Sequence, residues 1–224
     1  MTELAVSPLT GPRVIWVRRI VQLLIGLFFY GIGVALMVRA GIGLPPWDVL
    51  TQGVSRQTGL PFGLVTNLIG LAVLLLWIPI RQKPGVGTVL NVLIIGPSAQ
   101  LGLWLIPQQT VPVIQGLVYT GGLVLVAIAT GLYLGARLGP GPRDGLMTGL
   151  HKRTGWRIWI VRTAIEVTVL TIGWILGGQV GIGTVAFALL IGPLVNLTLP
   201  LLVVPVSPRS AGRDTKTNPK EVPA

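Results

Sequence analysis

The sequence has no cysteine, a single histidine and only 6 acidic residues in 224. Without cysteine there are no disulfides, no thiolate metal sites and no cysteine nucleophile. His151 stands alone in a basic stretch, so no cluster has metal-ligand spacing, and neither a metal nor another cofactor is expected. No G-x-x-x-x-G-K-[S/T] loop is present, which excludes a nucleotide motor of that type within the chain. The G-x-G pairs lack the strand context of a dinucleotide site. No serine lies in a nucleophile motif and the carboxylates are scattered, so enzymatic activity is not expected. Charge as a whole is scarce, at 10% of residues, against about 25% in soluble domains.

Apolar residues fill the chain instead. They make up 51% of it, and the mean hydropathy is +0.79. Several uncharged runs reach the roughly 20 residues that cross a bilayer as a helix. The alternation that marks an outer-membrane barrel is missing. The fold class expected is an all-α membrane protein with six transmembrane helices, near residues 20–38, 61–80, 87–106, 113–136, 158–176 and 183–204. Residues 1–17 read as a short basic lead, and residues 207–224 as a disordered polar tail. The lead is polar, with Pro8 and Pro12, and the first apolar run is too long for a signal-peptide core, so no cleavable signal is expected. The net charge of +11 is read as basic loops facing anionic lipid, not as a nucleic-acid surface.

Two segments interrupt this pattern and echo each other. Arg39-Ala-Gly-Ile-Gly-Leu-Pro-Pro-Trp-Asp48 follows span 1, and Arg137-Leu-Gly-Pro-Gly-Pro-Arg-Asp144 follows span 4. Glycine and proline rule out a continuing helix there. Each aspartate is placed to start a short helix as its N-cap. After the first break, Trp47, Leu50 and Val54 share a helical face. After the second, a basic loop runs to Arg157.

The echo extends further. A shift of 96 carries Asp48, Gly53 and Gly59 onto Asp144, Gly149 and Gly155. The same shift carries Gly85-Val-Gly-Thr-Val89 onto Gly181-Ile-Gly-Thr-Val185, and Ile95-Gly-Pro97 onto Ile191-Gly-Pro193. Upstream, Arg39, Gly41 and Gly43 meet Arg137, Gly139 and Gly141 at a shift of 98. Matching of Asp, Gly, Thr and Pro in order points to duplication. The halves are residues 18–106 and 107–206, each holding three spans.

An odd number of spans makes the second half enter the membrane from the opposite side, a 3+3 inverted repeat. Positive charge agrees. With the N-terminus inside, all of the 17 Lys and Arg except Arg39, Arg56 and Arg162 fall on inside segments. That bias predicts both termini in the cytoplasm.

Polar residues within this frame are the candidates for chemistry. Asp48 and Asp144 read as helix caps and as equivalent gates on opposite faces of a central cavity. Arg39 and Arg137 either snorkel to the headgroups or pair with an aspartate. Arg162 and Glu166 lie four apart in a span and so share a face. Glu166 is the deeper and is the candidate for an ion- or proton-coupled site, with a structural ion pair as the alternative. Gln100 and Asn196 are matched amides, and Asn67 and Asn91 also lie in spans; each needs a buried partner or a polar pathway. Thr88 and Thr184 follow glycines at span starts and read as caps.

The R-x-G-x-G-x-x-P-W-D motif at Arg39–Asp48, the G-V-G-T and I-G-P elements and their echoes resemble the bacterial YczE/YitT-type integral membrane proteins. The resemblance covers about residues 14–206. The second copy departs from the motif, with Arg143 where the first has Trp47. The resemblance implies a small multi-span plasma-membrane protein for which transport is a suggested role. Inverted repeats with broken helices suit secondary transport. The expectation is therefore a transporter or exporter of a small molecule, with a non-transporting accessory or sensor protein as the alternative. Expected partners are the lipid bilayer, an unidentified small molecule and, as a candidate, a second copy of the chain.

Overall fold

The computed structural model describes residues 12–204. The readings of the extreme N-terminus and of the tail from residue 207 lie outside the described residues. Among the described residues the chain is entirely helical, with helices α1 (Pro12–Ala40), α2 (Pro46–Thr58), α3 (Phe62–Ile80), α4 (Val86–Leu105), α5 (Pro112–Gly135), α6 (Pro142–Thr154), α7 (Ile158–Ile175) and α8 (Ile182–Leu202). Six of them are long and apolar enough to span a membrane, and α2 and α6 are the short ones. The protein is a multi-pass membrane protein. Two boundaries differ from expectation. Helix α1 begins at Pro12, inside the stretch read as a lead, because Pro is well placed at a first helical turn. The short helix expected at Asp144 is α6, and it runs on to Thr154 through most of the stretch read as a basic loop.

The order long, short, long, long occurs twice. Helices α2, α3 and α4 start at 46, 62 and 86, and α6, α7 and α8 start 96 later at 142, 158 and 182. The backbone repeats in detail. Gly59 and Gly155 end α2 and α6 in the left-handed region, at φ 72° and 71°. Gly87 N–H donates to Leu138 O at 2.8 Å, and Gly183 N–H donates to Ile42 O at 2.9 Å. Thr88 and Thr184 cap as expected, each accepting from the N–H of the glycine three residues earlier.

The structure corrects the register upstream. Gly43 and Gly139 share φ values of 115° and 123°, which only glycine adopts at ease. A side chain on either would meet the glycine and threonine that open α8 or α4. Their separation is again 96, so the shift of 98 does not reach these glycines. Arg137 consequently occupies the place of Gly41, both at positive φ, and is not the counterpart of Arg39.

Packing divides the helices into two groups. Helices α4, α1, α5 and α8 form a row, with the α1–α5 contact at its centre. Helices α2, α7, α6 and α3 form a closed ring. The row and the ring meet where α3 packs against α4; α7 and α8, the counterpart pair, make no comparable contact. The cause can be traced to residues. A Cβ on Gly63 would run into the carbonyl of Gly96, and one on Gly96 into Asn67. Gly63 N–H also donates to Gln100 Oε1 at 3.0 Å. The counterpart of Gly63 is Trp159, and Gly192, the counterpart of Gly96, has nothing within 4 Å.

Candidate functional site

Helices α2 and α6 point their N-termini at each other. The C-terminal part of α2 is held at the end of α7, where Arg56 and Gln57 donate to Gly177 O and Leu176 O. The C-terminal part of α6 is held at the end of α3, where Arg153 donates to Pro79 O. At the other end of each helix, Asp48 of α2 pairs with Arg143 of α6 at 3.6 Å. The Arg143 guanidinium also lies over the Trp47 ring, 5.0 Å from its centroid, a cation–π contact. Trp47 and Arg143 are counterparts under the 96-residue shift, so the departure from the repeat motif is the contact at its centre.

The aspartates are not N-caps. The N-caps are Pro45 and Gly141, without side-chain cap bonds, and each aspartate lies in the first turn that follows. Proline and glycine end the break three residues earlier than expected, so each aspartate falls inside the helix. A carboxylate there still complements the partial positive charge of the helix start. Both aspartates lie at one junction: Asp48 pairs with Arg143, and Asp144 is the next residue. Asp48 is 2% exposed, and its Oδ2 has no partner among the described residues. Asp144 Oδ2 accepts from Tyr133 Oη at 2.9 Å. Burial pushes the Asp48 carboxyl above its ordinary pKa, opposed by Arg143. Burial does the same to Asp144, opposed by the Tyr133 hydrogen bond and Arg143.

Two cavities flank this cluster and share Tyr30, Tyr133, Arg143 and Asp144 as walls. One, about 80 Å³, lies between α3 and α4 and reaches Gly70 and Asn91. The other, about 290 Å³, lies between α7 and α8 and reaches Arg162, Glu166 and Asn196. Gly70 and Glu166 are counterparts, as are Ile95 and Ile191, which line the respective cavities. The cavities are therefore the same feature in the two halves, small where α3 meets α4 and large where α7 stands off α8.

Other candidates distribute as follows. Arg162 Nε donates to Glu166 Oε1 at 3.0 Å, the expected pair. All three acidic residues within the described chain, Asp48, Asp144 and Glu166, belong to the cluster or its larger cavity. Asn91 and Asn196 line the smaller and larger cavity. Gln100 does not; it holds α4 to the start of α3. Arg39 donates to Leu103 O and ties α1 to α4. Arg137 is exposed, and neither Arg39 nor Arg137 makes the ion pair with an aspartate. Sequence reasoning missed Arg143, Trp47, Tyr30 and Tyr133. The only signal for Arg143 was its mismatch with Trp47, which similarity matching discounts.

The protein family of unknown function DUF6198 matches residues 17–200. A Haemophilus influenzae protein described as uncharacterized is 39% identical over 180 residues, covering 80% of this chain and 83% of its own length. The uncharacterized membrane protein YczE of Bacillus subtilis is 33% identical over 177 residues, covering 78% and 82%. The uncharacterized protein YyaS of Bacillus subtilis is 30% identical over 185 residues, covering 80% and 90%. No solved structure matches the chain.

Proposed function

The chain belongs to the DUF6198 family of YczE-type membrane proteins, and from that premise we propose that it is a secondary transporter or exporter of a small molecule. The observation that carries this reading is the pair of repeat-related cavities on one buried charge cluster, one small and one large. In a chain of two similar halves, exchanging the two conformations turns a site open on one side into a site open on the other. Helices α3 and α4 would part as α7 and α8 close, with the ring of short helices rocking against the row. The halves have opposite orientation in this reading, with N- and C-termini cytoplasmic.

Half-helix starts favour binding at the junction, because the positive ends of two helix dipoles converge there. Glu166 and Arg162 lie on the wall that lacks counterpart charges in the first half, which makes that wall the place for ion coupling. The chain performs no covalent chemistry in this reading.

Solute flux in proteoliposomes containing the purified chain tests the proposal. Saturable uptake that responds to an imposed proton or ion gradient is the expected result. A stoichiometric protein partner in native mass spectra, with no flux of any solute in a broad panel, would favour an accessory or sensor role instead.

A further inference from the structure

We propose that the cavity between α7 and α8 binds a small zwitterionic amphiphile, with an ammonium group and a carboxylate carried on an apolar body. The assignment deepens the transport reading and rests on it for its purpose, although binding can be measured separately.

The walls carry both signs of charge. Arg143 and Arg162 supply cations, and Asp144 and Glu166 supply carboxylates. Behind them, the Asp48 carboxylate opposes the two helix starts, each worth about half a positive charge. The centre is therefore close to neutral. A ligand of one sign would leave an uncompensated charge in a low-dielectric space, which is unfavourable. A zwitterion brings no net charge and can meet both sets of groups.

Hydrogen-bonding capacity is also incomplete on the cavity wall. Trp47 Nε1 is a buried donor without a partner among the described residues. Buried polar atoms ordinarily have partners, so such an exception marks a place for something else. Trp47 lines the cavity beside Arg143, a donor pair fit for a carboxylate. Asp144 and Glu166 are fit for an ammonium group.

The remaining wall is apolar, with Val126, Met147, Phe187, Ile191 and Val195. The volume of about 290 Å³ is that of a small-molecule site. Gly192, on the cavity wall, has nothing within 4 Å of where a side chain would begin, which leaves open space there. An apolar body can sit there while the charged head reaches the cluster.

Three probes with a shared phenylethyl body separate the alternatives: phenylalanine, 2-phenylethylamine and 3-phenylpropanoate. Binding is measured by calorimetry on the full chain in phosphatidylcholine nanodiscs. Phenylalanine should bind at least about tenfold more tightly than either singly charged probe, since each loses one charge-assisted contact. Trp47→Phe should weaken phenylalanine and phenylpropanoate and spare the amine. Glu166→Gln, on a partly exposed residue, should weaken phenylalanine and the amine and spare phenylpropanoate. Equal or tighter binding of a singly charged probe would overturn the assignment. So would binding no greater than to empty nanodiscs, or equal weakening of all three probes by both substitutions. Zwitterion-selective binding without flux would uphold the site and count against transport. Flux of other solutes without zwitterion preference would do the reverse.

Discussion

Arg143 faces a carboxylate that water cannot reach. Asp48 is 2% exposed, 3.6 Å from the guanidinium. Removing one partner of a buried ion pair typically costs about 3–5 kcal/mol, because the other charge stays buried. Arg143 is itself partly exposed, so Arg143→Ala should fall near the lower end of that range. Arg143→Ala with Asp48→Ala should recover part of the loss. Denaturation of the purified variants measures both; a neutral single substitution would mean that Asp48 is already uncharged.

Protonation offers a second residue-level test. Burial raises the folded-state pKa of Asp48 and Asp144 above the ordinary 3.8. The folded chain thus holds these protons more tightly than the unfolded chain. Their contribution is complete below the ordinary value and is lost as pH rises through the raised values. Thermal stability should decline over that window, and Asp48→Asn with Asp144→Asn should flatten the decline. An unaltered profile would contradict the shifts.

Arg137 offers a third. It holds φ at 54° where Gly41, its structural counterpart, is glycine. Left-handed backbone costs a side-chain-bearing residue on the order of 1 kcal/mol. Arg137→Gly should stabilise the protein by up to about that amount in the same assay, less the glycine entropy loss.

At the scale of elements, the important contrast is between α3–α4 and α7–α8. Close packing needs glycine at 63 and 96, and a tryptophan at 159 does not fit that role. Gly63→Val should force the first pair apart and cost about 1–3 kcal/mol, as overpacking does. Trp159→Gly should allow α7 to approach α8. A cysteine at Val195, on the cavity wall, should then react more slowly with a thiol reagent. Unchanged reactivity would show that Trp159 does not hold the gap.

The six spans and both breaks were legible because Gly, Pro and long apolar runs act locally on the backbone. The Arg162–Glu166 pair was legible for the same reason, as neighbours on one helix. The contact of Asp48 with Arg143 was not, since it joins residues far apart in the chain and leaves no local pattern. Tyr30 and Tyr133 lie in apolar runs where their hydroxyls look incidental. The register at Gly43 and Gly139 needed dihedral angles, since two glycines in each break allow either alignment.

For the whole molecule, orientation and exchange between two states are the claims at stake. The chain has no cysteine, so single introduced cysteines report without background. Cysteines at Ser55 and Lys152, near the C-terminal ends of α2 and α6, should label from opposite sides of the membrane. Labelling of both from one side would sink the inverted arrangement.

Alternating closure of the two cavities is tested most directly by distance. Spin labels at Ile69 and Val92 report the α3–α4 pair, and labels at Ile165 and Ala188, their counterparts, report the α7–α8 pair. Measured by pulsed electron resonance in nanodiscs, each pair should show a short and a long population. The short population should dominate at α3–α4 and the long one at α7–α8. Phenylalanine or a change of pH should move the two pairs in opposite directions. A single fixed distance at each pair, unmoved by either treatment, would contradict alternating closure.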